Sequence, residues 1–329
     1  MKILCLESVD PYWNLALEET VLRHRKDDDY LLLWRNDRTV VVGRYQNTLE
    51  EIDSGYVRSH GIKVVRRITG GGCVYHDLGN LNYSLITDAQ DAETLLIEHF
   101  TRPVADALRA LGVPAAVSGR NDILAAGKKV SGCAQVIEGG RILHHGTLLF
   151  SAQLSDAAGA LRAAPDKFQS KSTKSVRSRI GNISSCLRCP AMDVLEFRDY
   201  LAKQLGQGGR RIFLDDELKD MAQELAERKY RTWEWNYGES PAFQFQDRRR
   251  FPGGLVETGV CVEDGRITAV RFRGDFLARR DVGQIEEALR GCRYRREDLE
   301  AVLERCPVGE CFGAISGEEI AQCLLEAQP

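Results

Sequence analysis

The chain has 329 residues, 43% hydrophobic and 28% charged, with 45 basic and 48 acidic side chains for a formal net charge of −3. This is ordinary composition for a folded protein and excludes a disordered chain, while the near-neutral balance excludes nucleic-acid binding through a broad basic face. Ten cysteines are too few at this length for a disulfide scaffold, and with no leader-like run before Glu7 and no long apolar stretch a cytoplasmic protein without a membrane partner is expected.

Asn14 to Arg25 sets Leu17, Val21 and Leu22 among charges and predicts an amphipathic helix. Tyr30–Trp34 and Thr39–Val42 are β-rich runs around Arg35-Asn36-Asp37-Arg38, which reads as a hairpin-like turn. Ile62–Ile68 and Leu81–Ile86 predict further strands. Thr94–Leu111 has apolar residues near 3.6 spacing and predicts the longest helix, with Pro103 as a place where it can split. Lys129–Val136 and Ile142–Ser151 predict strands joined at Glu138-Gly139-Gly140. Ala163–Ser185, rich in Lys, Arg and Ser, predicts an exposed mobile loop, either a solvated connector or a phosphate-facing lid. Helical patterns return at Asp193–Leu205 and Asp215–Tyr230. After Phe245 a basic run, Arg248-Arg249-Arg250, precedes strands over Gly254–Val262 and Arg266–Phe272. Helices follow at Asp281–Leu289, Arg296–Glu304 and Ser316–Glu326, the last opened by a Ser316/Glu319 capping box. Two domains are expected, 1–245 and a small α+β unit over 246–329.

Chemistry concentrates in three stretches. Arg66-Arg67-Ile68-Thr69-Gly70-Gly71-Gly72 follows a strand, and its glycines allow close backbone approach to a charged ligand or, alternatively, a bare corner turn. It matches neither the phosphate-binding loop nor the dinucleotide fingerprint. In Asn121-Asp122 through Lys129-Val130-Ser131-Gly132-Cys133, Asp122 is either a Mg²⁺ ligand or a turn-forming carboxylate. Lys129 is either a bridge between a carboxylate and a phosphate or a solvated edge lysine. Adjacent His144 and His145 on a strand point to opposite faces, so at most one lines a given pocket. Cys73 and Cys133 are either nucleophiles or fillers of small-residue slots. Cys186-x-x-Cys189 has metal-like spacing but no second pair to complete a zinc ribbon.

Leu33-Trp34-Arg35-Asn36, Val41 to Asn47, Arg66 to Asn80, Ser118 to Ala134 and His144 to Leu148 resemble, in order and spacing, the lipoate–protein ligase A family. Lys174 to Arg179 with Asn182 resembles that family's adenylate loop, and Thr232 to Gly238 the lead into its accessory domain. The resemblance implies an α/β (α+β) fold, a biotin-ligase-like catalytic domain with mixed sheets flanked by helices plus a small α+β accessory domain. It implies that lipoate and Mg·ATP give lipoyl-AMP, and that the lipoyl group passes to a lysine of an apo lipoyl domain or of the glycine-cleavage H protein. The site residues it implies are Lys129 as the catalytic group and Arg67, Gly72, Cys73, Val74, Tyr75 and Lys129 for ATP. For lipoate they are Lys129, Gly71 and His145; Lys174, Arg177 and Arg179 form the adenylate loop, and Asp122 holds Mg²⁺. Octanoate is an expected weaker substrate, and a monomer is expected. Cys73 stands where Ala is usual and Cys133 where Ser is usual, which keeps an ATP-independent octanoyl or lipoyl transferase with a cysteine nucleophile as the alternative. The Gly-Arg-Gly-Arg signature of biotin ligases is absent.

Overall fold

The computed structural model describes residues 1–89, 96–119, 121–161, 180–187, 192–237, 245–263 and 265–327. The chain forms two compact units. One comprises Met1–Val42, Thr48–Arg66 and Val74–Asn236; the other comprises Gly43–Asn47, Arg67–Cys73 and Tyr237–Pro329. The larger unit carries mixed sheets and the smaller one an antiparallel sheet, each flanked by helices, as the family resemblance implies.

The larger unit holds strands β1 (Lys2–Cys5), β2 (Tyr30–Trp34), β3 (Thr39–Val42), β4 (Lys63–Arg66), β5 (Val74–His76) and β6 (Asn80–Asp88). It continues with β7 (Ala115–Ser118), β8 (Asp122–Ala125), β9 (Lys128–Glu138), β10 (Arg141–Leu149) and β11 (Arg210–Arg211). Its main sheet runs β11-β1-β2-β6-β10-β9-β8-β7, and β4-β3-β5 form a second, three-stranded sheet. β9 and β10 meet at Gly139 (φ 56°) and Gly140 (φ 78°), the two-residue turn that needs left-handed backbone at both positions. Helix α1 (Pro11–His24) starts three residues earlier than its apolar spacing suggests. Asp10 caps it from Tyr12 N at 3.2 Å and Pro11 occupies the first turn, where a missing N–H is harmless.

Three expectations fail here, each for a local reason. Arg35–Arg38 is no hairpin turn, because β2 pairs with β1 and β6 whereas β3 pairs with β4 and β5. Instead Asn14 of α1 binds the segment, donating to Arg35 O at 2.9 Å and Asn36 Oδ1 at 3.0 Å. The helix Ile97–Ala110 runs unbroken through Pro103, whose ring faces solvent while Phe100, Val104 and Leu108 are buried. The stretch 180–185 is not exposed loop: Ile183 is fully buried, Ser184 N bonds Phe150 O, and Asn182 exchanges hydrogen bonds with Ala152. The rest of the predicted loop, and Cys189, lie outside the described residues. The helices Val194–Leu205 and Asp216–Leu225 form as expected, the second continuing as a wider turn over Ala226–Tyr230.

The smaller unit is an antiparallel sheet of β12 (Phe245–Phe251), β13 (Gly254–Glu263) and β14 (Arg266–Gly274), with helices Gly283–Leu289, Arg296–Leu303, Val308–Phe312 and Gly317–Leu325. Its basic run is part of a strand, contrary to expectation. Arg248 pairs with Glu257 across the ladder at 3.1 Å, and Arg249 with Asp247 at 2.7 Å, so charge conceals the strand's alternation. The capping box forms: Ser316 Oγ accepts from Glu319 N, and Glu319 accepts from Ser316 N. Tyr45, far away in sequence, enters this core and stacks on Phe276 at 5.0 Å.

Candidate active site

One face of the large sheet gathers the polar side chains. In antiparallel pairs, residues directly opposite share a face, and the face repeats every second residue. His145 lies opposite Ala134 on β9 and Ser84 on β6, so Gly132, Ala134, His145, Thr147, Asn82 and Ser84 share one side. Lys129, three residues from Gly132, would face the other way in an unbroken strand. A bulge prevents that: Ser131 pairs with Ile123 and Lys129 with Leu124, leaving Val130 extra. Lys129 therefore swings across Gly132, where a Cβ would lie 2.9 Å from both Cε and Nζ. Its ammonium meets Asp122 Oδ1 at 2.7 Å, and both side chains remain about one-third exposed, at 37% and 30%. Ile180, the first described residue after 162–179, bridges to Lys129 from the strand's open side.

His145 is buried beside a buried carboxylate. Its Nδ1 sits 2.8 Å from Glu18 Oε1, which also accepts from Ser84 Oγ at 2.5 Å. Trp34 Nε1, a donor only, bonds Ser84 Oγ at 2.8 Å, so the serine proton is directed to the carboxylate. His144 faces the opposite side, stacked on Phe100 at 4.7 Å, and burial pushes its imidazole down to about 3. The predicted divergence of the two histidines holds.

The glycine-rich stretch belongs to the smaller unit. A Cβ on Gly70 would lie 2.7 Å from Phe276 O, and Gly71 (φ 88°) donates its N–H to that carbonyl at 2.9 Å. Gly70 thus admits backbone, whereas a Cβ on Gly71 would meet Arg67 Nη2 at 3.1 Å and Leu277 Cδ2 at 3.2 Å; among the described residues nothing lies within 4 Å of a Cβ on Gly72. Arg67 curls over the loop, donating to Thr69 Oγ1, Gly70 O and Gly72 O at 2.9, 2.6 and 2.9 Å. Arg66 lies in the larger unit and is spent on Thr48, Trp235 and Asn236. Cys73 closes the glycine stretch as a half-buried cysteine outside any disulfide.

Val74 and Tyr75 lie on β5 in the larger unit. Tyr75 bonds Asp156 at 3.3 Å, and burial pushes its hydroxyl up to about 12. The adjoining His76-Asp77 is structural: Asn36 donates to His76 Nδ1 at 3.2 Å, and Asp77 accepts from Gly79 N and Gln153 N at 2.8 and 2.6 Å. Cys133 is buried, its thiol held against Asn121 O at 3.3 Å and pushed far up by burial, then by Asp122. Lys174, Arg177 and Arg179 lie outside the described residues.

Residues 10–206 match the family described as the lipoyl protein ligase A/B catalytic domain, and 240–324 match the bacterial lipoate protein ligase C-terminus. The chain is 40% identical over 321 residues to lipoate-protein ligase LplJ of Bacillus subtilis, covering 96% of this chain and 97% of that one. The chain belongs to the lipoate–protein ligase family. The ligase is also similar to the bi-partite lipoate protein ligase of Thermoplasma acidophilum (31% identity, TM-score 0.65), covering 73% of this chain and 98% of that one. A lipoate-protein ligase A structure bound with ATP matches at 29% identity and TM-score 0.63, covering 72% and 98%.

Three residues of this ligase's polar face escape the motif reading. Glu18 sits on the stripe of Leu15 and Leu22, a carboxylate amid apolar neighbours, and that mismatch was its one sequence signal. Ser84 carries no signal beyond its strand. Gly132 is visible only as a glycine inside a strand, a mark of bulge or close approach. Among the described residues no helix is long and apolar enough to cross a membrane.

Proposed function

We propose that this ligase consumes Mg·ATP to convert lipoate to lipoyl-AMP, and then passes the lipoyl group to one lysine of a lipoyl domain. Such domains belong to 2-oxoacid dehydrogenase acyltransferase subunits and the glycine-cleavage H protein; octanoate serves as a weaker acid. The observation that carries the reading is Lys129, bulged onto the polar face with its ammonium accessible and held by one carboxylate. A carboxylate is a poor acyl donor, and joining it to a phosphate brings two anions together. A fixed cation between them stabilises the charge that develops. Lys129 takes this role, contacting the lipoate carboxylate and the α-phosphate, with His145 and Gly71 at the lipoate.

Arg67, Gly72, Cys73, Val74 and Tyr75 serve the nucleotide in this reading, supported by the open surroundings of Gly72. Lys174, Arg177 and Arg179 contact the adenylate, supported by the return of the chain at Ile180 beside Lys129. The donor set suits Mg²⁺ arriving with nucleotide rather than a resident metal. Asp122 offers one carboxylate, and no cluster of three metal-ligating side chains occurs among the described residues. When bound, the ion would neutralise phosphate charge, with Asp122 as its protein ligand. The alternative transferase chemistry needs a thiolate at Cys73 or Cys133; against Cys133 stand its burial, which pushes the thiol up, and its bond to Asn121 O, while Cys73 is left to the thiol-blocking test.

The test is lipoate-dependent pyrophosphate release from Mg·ATP, first alone and then with an apo lipoyl domain. Release, followed by the lipoyl mass gain on the acceptor, is expected. Acyl transfer without ATP that a thiol-blocking reagent abolishes would overturn the reading.

A further inference from the structure

Glu18 is one of the few ionisable groups buried on the polar face, at 1% exposure, and the adenylation chemistry leaves it without a task. Its Oε1 is loaded with two partners, whereas its Oε2 is buried without one. The donor order is set from one end: Trp34 Nε1–H to Ser84 Oγ, Ser84 Oγ–H to Glu18 Oε1. The Glu18 Oε1–His145 Nδ1 contact suits the tautomer in which Nδ1–H donates to the carboxylate and Nε2 carries the ring's lone pair. His145 stands opposite Ala134, and Gly132 is the diagonal neighbour, about 7 Å away in such a ladder. Lys129 lies over Gly132, so the imidazole flanks the place where the acyl phosphate would form.

We infer that His145 accepts the proton released when the acceptor amine attacks the activated acyl group, and that Glu18 is its positioning residue. The inference rests on the proposed two-step reaction. A lysine that has given its ammonium proton to solvent attacks the acyl carbon of lipoyl-AMP as a neutral amine. The N–C bond forms and the acyl C–O bond breaks, its electron pair leaving on the phosphate oxygen of AMP. The surplus N–H proton passes to His145 Nε2, and Glu18 holds the ring and balances the imidazolium, as a carboxylate does for a catalytic histidine. Glu18 from α1 and Ser84 from β6 stand on His145's face, Lys129 with Asp122 lies along the diagonal, and His144 lies beyond the sheet.

The experiment separates the two half-reactions in the full-length ligase. Glu18→Gln keeps the shape but not the charge. Transfer from added lipoyl-AMP to an apo lipoyl domain is expected to fall about 10²-fold, within the range of general-base contributions. Pyrophosphate release is expected to fall at least tenfold less than that. The Glu18→Gln/His145→Gln double variant should transfer no more slowly than His145→Gln alone, since residues acting as a unit are non-additive. Should Glu18→Gln fail to fold, Ser84→Ala, which removes the donor orienting Glu18 together with the acceptor of Trp34 Nε1–H, should lower transfer preferentially. Equal losses in both half-reactions, or additive losses in the double variant, would overturn the inference. A wild-type protein that forms no lipoyl-AMP would instead overturn the reading of function beneath it.

Discussion

Glycine does different work in the two motifs that dominate this sequence. In the stretch after Arg67, Gly70 makes room for main chain: its missing Cβ leaves space for Phe276 O, and Gly43 similarly clears Gly71 O by having none. In the corner between β8 and β9, Gly132 makes room for a side chain, the Lys129 amine. Backbone cannot step aside, whereas the end of a lysine can. Substitution at the first set should therefore be felt as lost stability, and substitution at the second as a displaced cation.

The largest effect tests which cation matters. Lys129→Ala should fold normally, because the side chain is one-third exposed. It should lower lipoate-dependent pyrophosphate release about 10²- to 10³-fold, the usual loss on removing one preorganised charge-stabilising group. A variant that releases pyrophosphate at the wild-type rate would end the assignment of that lysine.

The glycine contrast follows, with a paired measurement. A Cβ on Gly43 would lie 1.9 Å from Gly71 O, so Gly43→Ala should cost about 1–3 kcal/mol in urea unfolding of the smaller unit. Gly132→Ala should cost little stability but about 10²-fold in adenylation, because a displacement of roughly 1 Å spoils alignment. Finding the two profiles exchanged would show that the loops had been read the wrong way round.

Much of this corner was legible beforehand. The opposed histidines follow from period two and the hairpin at Gly139-Gly140 from turn chemistry, whereas Lys129 and Asp122 stand out only by residue type and by the family resemblance. The bulge was not, because one extra residue in a ladder depends on the partner strand's register. The membership of Tyr45 and Arg67 in the smaller unit was hidden for a similar reason, since it depends on contacts more than 200 residues away, as in Gly71 N to Phe276 O. β12 was masked by three arginines whose partners, Glu257, Glu326 and Asp275, are non-local.

The face of the sheet opposite the candidate site carries an acid-sensitive group. His144, walled in by Phe100 and Tyr83, titrates near 3 in the fold against about 6.5 unfolded. A lowered value means the unfolded chain binds the extra proton first. The stability this histidine permits is complete above about pH 6.5 and is lost as pH falls toward 3, by roughly 1 kcal/mol per unit. Urea unfolding from pH 7 to pH 4 should show that slope in the wild type and a shallower one in His144→Gln. Parallel slopes would locate the acid sensitivity elsewhere.

The smallest effect concerns how the corner is turned. β8 and β9 are joined by Ala126 and Gly127, at φ 49° and 76°, and Ala126 is the only non-glycine residue at positive φ among those described. The two-residue turn demands this backbone at both positions, and alanine adopts it against a cost of about 1 kcal/mol. Asparagine tolerates the conformation better, so Ala126→Asn should stabilise the protein by roughly 0.5–1 kcal/mol, visible as a raised melting temperature. Because the turn only joins the two strands, the ion pair between Asp122 and Lys129 should persist and adenylation should stay within about twofold of wild type. A stabilised variant with impaired adenylation would mean that the strained turn itself sets where Lys129 stands. The corner would then resemble the glycine stretch after Arg67, governed by backbone rather than by a movable side chain.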